Sequence, residues 1–64
     1  MDVARIIKDL RVDEDLTQQA FAEKIGASQR TVSMWETGKR IPSVNTLEKI
    51  LETFGMQLSI KKKQ

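Results

Sequence analysis

The sequence predicts a small all-α domain of four short helices joined by tight turns and followed by one short β-strand. Three observations carry this. Apolar residues recur at helical spacing in successive runs. A residue suited to cap a helix precedes each run, at Asp2, Thr17, Ser28 and Ser43, and a glycine closes three of them, at Gly26, Gly38 and Gly55. The segment from Met56 to Lys61 alone alternates with a period of two.

Val3, Ile6, Ile7 and Leu10 stand at i, i+3, i+4 and i+7, one face of a first helix capped by Asp2. The pattern breaks at Val12-Asp13-Glu14-Asp15, which reads as a turn. Asp at position 15 tolerates a left-handed backbone better than most residues. Thr17 caps a second helix whose Phe21 and Ile25 share a face, and Gly26 stops it. Ser28 caps a third helix over about 29–36, ended by Gly38. Ile41-Pro42 forces an extended step. Ser43 then caps a fourth helix, with Val44, Leu47, Ile50, Leu51 and Phe54 expected inside. In 56–61, Met56, Leu58 and Ile60 alternate with polar residues. A lone strand leaves its backbone N–H and C=O groups unpaired. Its natural partner is the same strand in a second copy, which makes Met56, Leu58 and Ile60 candidate dimerisation residues. A frayed tail or a longer fourth helix is the alternative.

Length and composition narrow the function. The 64 residues form a single domain, taken as 1–64, at the size where small folds need support beyond their own core. With neither cysteine nor histidine, disulfides and ordinary zinc sites are excluded, and the commonest catalytic bases and nucleophiles are missing. No enzyme, cofactor or metal is expected. No apolar run approaches the ~20 residues that span a bilayer, and the first residues lack the pattern of a signal peptide, so the expected location is the cytoplasm.

The net charge of +2 is unevenly spread: residues 1–27 carry net −2, residues 28–41 net +2 and residues 42–60 net −1, with Lys61-Lys62-Lys63 adding the rest. Basic charge in a central stretch and a tail suits a polyanion, and on charge alone it equally fits an ordinary solvated surface. The tail either touches a nucleic-acid backbone or serves solubility.

Residues 17–37 have the layout of a helix-turn-helix: two short helices joined by Gly26-Ala27-Ser28, with small Ala22 at the crossing and Val32 and Trp35 facing back. At about 100° per residue, Gln29, Ser33, Thr37, Arg30 and Met34 span an arc of about 140°, while Trp35 and Val32 fall near 240° and 300°. The wet arc offers an amide, a guanidinium, hydroxyls and a thioether. Such groups read base edges: amides pair with adenine, Arg with guanine, and apolar groups touch the thymine methyl.

Thr17-Gln18-Gln19-Ala20-Phe21-Ala22, then Gly26-Ala27-Ser28-Gln29, then the run from Val32-Ser33-Met34-Trp35-Glu36 through Gly38-Lys39 to Pro42-Ser43 resemble the Cro/phage-repressor (XRE) helix-turn-helix family, over residues 3–55. The resemblance implies a lambda-repressor-like bundle of four or five helices that binds double-stranded operator DNA as a two-fold homodimer on an inverted repeat. Carried over by position, Gln29, Arg30 and Met34, with Ser33, would contact bases. Gln18, Ser28, Thr37, Lys39 and Arg40 would contact phosphates, and Arg11 and Glu36 would form an internal salt bridge. Asp15 departs from the glycine frequent in relatives. The acids Asp13-Glu14-Asp15 suit the dipole of the second helix but oppose a phosphate at Gln18.

The ending Leu51 to Ile60 resembles the HipB-type antitoxins, which implies an antitoxin and autorepressor of a toxin–antitoxin operon, with a HipA-like kinase toxin as partner. Alternatives are a phage repressor, a restriction-modification controller protein, or a partner-sequestering module with little DNA affinity.

Overall fold

The computed structural model describes residues 2–56. The elements are α1 (Val3–Asp13), α2 (Gln18–Ile25), α3 (Gln29–Glu36) and α4 (Val44–Thr53), and no strand occurs among the described residues. The segment expected as a strand lies beyond them, apart from Met56.

Each helix begins as its sequence dictates. The side chains of Asp2, Thr17, Ser28 and Ser43 accept the backbone N–H three residues on, from Arg5, Ala20, Thr31 and Thr46, at 3.1–3.2 Å. A cap of this kind satisfies one of the four N–H groups a helix start leaves unpaired, and contributes about 1 kcal/mol. The helix ends use positive φ. Gly26 takes φ 74° and Ala27 N–H then donates to the Ala22 carbonyl at 2.9 Å, closing α2. Gly55 takes φ 72° and Met56 N–H closes α4 on Leu51 O in the same way, at 2.8 Å.

Two expectations are corrected. The first concerns Val12 and Asp13, expected in a turn, which belong to α1. The apolar period does end there, for Val12 is 57% exposed, but the backbone ladder runs on, with Glu14 N–H donating to Leu10 O at 3.0 Å. Asp15 makes the reversal at φ 58°. The second concerns Val44, expected inside but 57% exposed. The far end of α4 is anchored by Phe54, whose ring stacks on Phe21 with centroids 5.2 Å apart, while Val44 and Asn45 at its start face solvent.

The core comprises Ile7 and Leu10 of α1, Phe21 and Ala22 of α2, Val32 and Trp35 of α3, and Leu47, Ile50 and Leu51 of α4. No polar or charged residue is fully buried among the described residues. Every helix contributes; α3 packs on α1 and α2 through its buried face, which carries Val32 and Trp35, and leaves the opposite face free.

Candidate nucleic-acid interface

The α2–α3 turn places the candidate site. Ala22, 1% exposed, has only a methyl group to fit where α2 and α3 pack. Val32 and Trp35 go inward, Gln29 and Arg30 are exposed, and Ser33 and Met34 are half-buried at the edge of the same face.

The polar groups of this face are linked to the interior. Arg11 Nε donates to Glu36 Oε2 at 2.7 Å and Arg11 Nη2 to Glu36 Oε1 at 3.1 Å, a bidentate pair joining α1 to the end of α3. Its side chains are 17% and 4% exposed. The hydrogen bond from Arg11 to Glu36 holds the guanidinium pKa above its ordinary value, against the opposing effect of burial. Arg11 Nη1 also donates to Leu16 O at 2.8 Å, fixing the α1–α2 turn. On the other side of the carboxylate, Gln18 Nε2 donates to Glu36 Oε1 at 3.3 Å, and Gln29 Nε2 donates to Gln18 Oε1 at 3.3 Å. Four side chains from three helices thus form one chain from a largely buried ion pair to an exposed amide.

The loop after α3 is pinned to it. The Met34 carbonyl accepts from the Thr37 hydroxyl at 3.2 Å and from the backbone N–H groups of Lys39 and Arg40 at 3.0 and 3.2 Å. Gly38, at φ 78°, lets the chain double back to do so. Lys39 and Arg40 are therefore exposed cations on a backbone anchored at the C-terminal end of a helix, where positive charge is favoured. The Thr37 hydroxyl donates to Ser33 O as well, at 3.0 Å, so its proton points back into α3. Ser28 is exposed but its Oγ caps α3 and shares a hydrogen bond with Thr31 Oγ1 at 2.9 Å.

Gln29, Arg30, Ser33 and Met34 thus lie on one helix face, Gln18 is joined to it, and Lys39 and Arg40 follow its end. Of the candidate dimerisation residues, Met56 is 45% exposed. Leu58 and Ile60 lie outside the described residues. Missing from the sequence reading are the Gln18–Glu36 and Gln18–Gln29 hydrogen bonds. The available signal was a glutamine at the first position of both α2 and α3. No cluster of metal-binding side chains occurs among the described residues, and none of their helices is long and apolar enough to cross a membrane.

A four-helix domain of this topology, with its second and third helices joined through Gly26 and the third presenting a polar face, is a helix-turn-helix domain. The helix-turn-helix family model matches residues 7–60, and the chain belongs to that family, of the Cro/phage-repressor type. Among similar proteins is the cryptic phage CTXphi transcriptional repressor RstR of Vibrio cholerae, 36% identical over 53 residues, covering 83% of this chain and 48% of that protein. A second is the ImmF control region 10 kDa protein of Bacillus phage phi105, 33% identical over 57 residues, covering 89% of this chain and 63% of that one. A third is the uncharacterized HTH-type transcriptional regulator MJ0272 of Methanocaldococcus jannaschii, 36% identical over 52 residues, covering 81% and 79%. The chain spans 28–48% of the length of several curated relatives it matches. No solved structure matches it.

Proposed function

We propose that this chain is a sequence-specific DNA-binding transcription repressor, working in the cytoplasm on its own operator, with α3 laid in the major groove. One observation carries the reading: α3 has a single acid, Glu36, and that acid is turned inward against Arg11, so the outward face holds Gln29 and Arg30 and is followed by Lys39 and Arg40. An outward carboxylate there would repel the phosphate backbone. Gln29, Arg30, Ser33 and Met34 are the base-contacting set. Gln18, Lys39 and Arg40 contact phosphates, with Ser28 and Thr37 beside them. The acting form is a homodimer on an inverted repeat, with half-site centres about 34–36 Å apart.

The names of two relatives from phage settings, a transcriptional repressor and a control region protein, favour a phage-type switch. A second reading, an antitoxin that also holds a HipA-like kinase toxin, is favoured by the resemblance of Leu51 to Ile60 to HipB-type endings. Co-purification with the product of the neighbouring gene separates the two.

The test is a mobility-shift titration on the region upstream of the chain's own gene, against random DNA. Gln29→Ala should cost roughly 1–3 kcal/mol and relax preference at one base position. Lys39→Ala should weaken binding to all sequences and lower the salt slope by about one unit per half-site. If both variants bind specific and random DNA as the parent does, the assignment of this face is wrong.

A further inference from the structure

The hydrogen-bond chain Arg11–Glu36–Gln18–Gln29 has a direction, and the carboxylate sets it. An ionised carboxylate only accepts, so the group of Gln18 that meets Glu36 Oε1 at 3.3 Å is necessarily its NH2. The Gln18 amide oxygen is then turned the other way, onto Gln29, and accepts from Gln29 Nε2 at 3.3 Å. Gln29 keeps one free N–H and its carbonyl oxygen. That pair, one donor beside one acceptor, matches the N7 acceptor and N6 amino donor of adenine, whereas guanine offers two acceptors, N7 and O6.

We infer that Glu36 is a specificity-determining positioning residue: through Gln18 it locks the Gln29 amide in the orientation that selects adenine over guanine. This rests on the reading of α3 as the base-contacting helix. Glu36 itself touches no DNA, since its side chain is 4% exposed. A free glutamine rotates its amide by half a turn and can offer either end. Here the carboxylate at the far end of the chain removes that choice, and Arg11, by holding Glu36 in place through two hydrogen bonds, supports the same orientation.

The direction can be released without changing shape. Arg11 donates to both oxygens of Glu36, so in Glu36→Gln one of its donors meets an NH2 and the new amide can turn either its oxygen or its NH2 toward Gln18. With NH2 toward it, Gln18 accepts and donates in turn to the Gln29 oxygen, and Gln29 then has two outward N–H groups, the complement of guanine N7 and O6. Gln18→Met cuts the chain without touching the ion pair and frees the Gln29 amide, so it serves as a second variant should Glu36→Gln fail to fold.

The experiment measures the affinity of the full chain for its operator and for operators with each base substituted at the position that Gln29→Ala relaxes, alongside thermal melting of each protein. The parent should prefer adenine to guanine there by about ten- to a hundredfold. Glu36→Gln and Gln18→Met should each lower that ratio to a few-fold, while preferences at other positions persist. A ratio unchanged in both variants, with affinity falling uniformly, overturns the inference and leaves α3 as the reading helix. Absence of any base preference in the parent overturns the proposed function, and this inference with it.

Discussion

Replacing Arg11 with methionine tests how much of the fold depends on one ion pair. Methionine keeps most of the aliphatic volume and removes the charge. Glu36 would then remain, 4% exposed, with its guanidinium partner gone. Removing one member of a buried pair costs about 3–5 kcal/mol, because the other is left charged and poorly solvated. Gln18 Nε2 still donates to the carboxylate, and the 17% exposure of the Arg11 side chain shows that water can approach, so the lower end, about 3 kcal/mol, is expected. For a domain of this size that lowers the melting temperature by roughly 12–24 °C. Arg5→Ala is the internal comparison. Arg5 pairs with Asp9 at 3.9 Å, with side chains 78% and 66% exposed, and should lose no more than about 0.5 kcal/mol. The double variant Arg11→Met with Glu36→Leu should recover to within about 1 kcal/mol of the parent, since an apolar pair has no charge to strand. The pH dependence follows from the raised pKa of Arg11, caused first by its hydrogen bond to Glu36. A base whose folded value is raised contributes fully below its unfolded value, and that contribution is lost only as pH climbs through the folded one. The Arg11→Met deficit should therefore hold steady from neutral to moderately alkaline pH and shrink only in strong alkali. Urea and thermal melts measure all of this. An Arg11→Met variant no less stable than Arg5→Ala would refute the reasoning.

Phe21→Ala should cost about 3–5 kcal/mol in a urea melt, because Phe21 is fully buried and its loss also ends the stack with Phe54. Ending the chain after Met56 leaves the closing bond from Met56 N–H to Leu51 O in place. If the strand expected over 56–61 pairs across a dimer, the shortened chain should elute as a monomer on a sizing column at concentrations where the parent elutes as a dimer, and an unchanged dimer would reject strand pairing.

The helices were legible because their boundaries are local. Asp2, Thr17, Ser28 and Ser43 each cap with an N–H three residues away. Gly26 and Gly38 adopt a backbone that most other residues resist. Where the sequence reading failed, at the end of α1, two local signals disagreed: the apolar period stopped at Leu10 while the backbone ladder ran on through Asp13. Val44 failed for another reason. Its spacing puts it on the buried face of α4, but burial also needs a neighbour above it, which periodicity does not encode.

The polar arc of α3 was legible too, since a helical wheel needs only the 3.6-residue turn to separate Gln29 and Arg30 from Val32 and Trp35. What no wheel supplies is the company those groups keep. Arg11, Gln18 and Glu36 come from α1, α2 and α3, and they meet only because the three helices cross at particular angles. Hydrogen bonds are short-range and directional. Whether an exposed amide is free or held therefore depends on ångström-scale placement of residues far apart in the chain, and the tertiary structure alone decided that Gln29 is held.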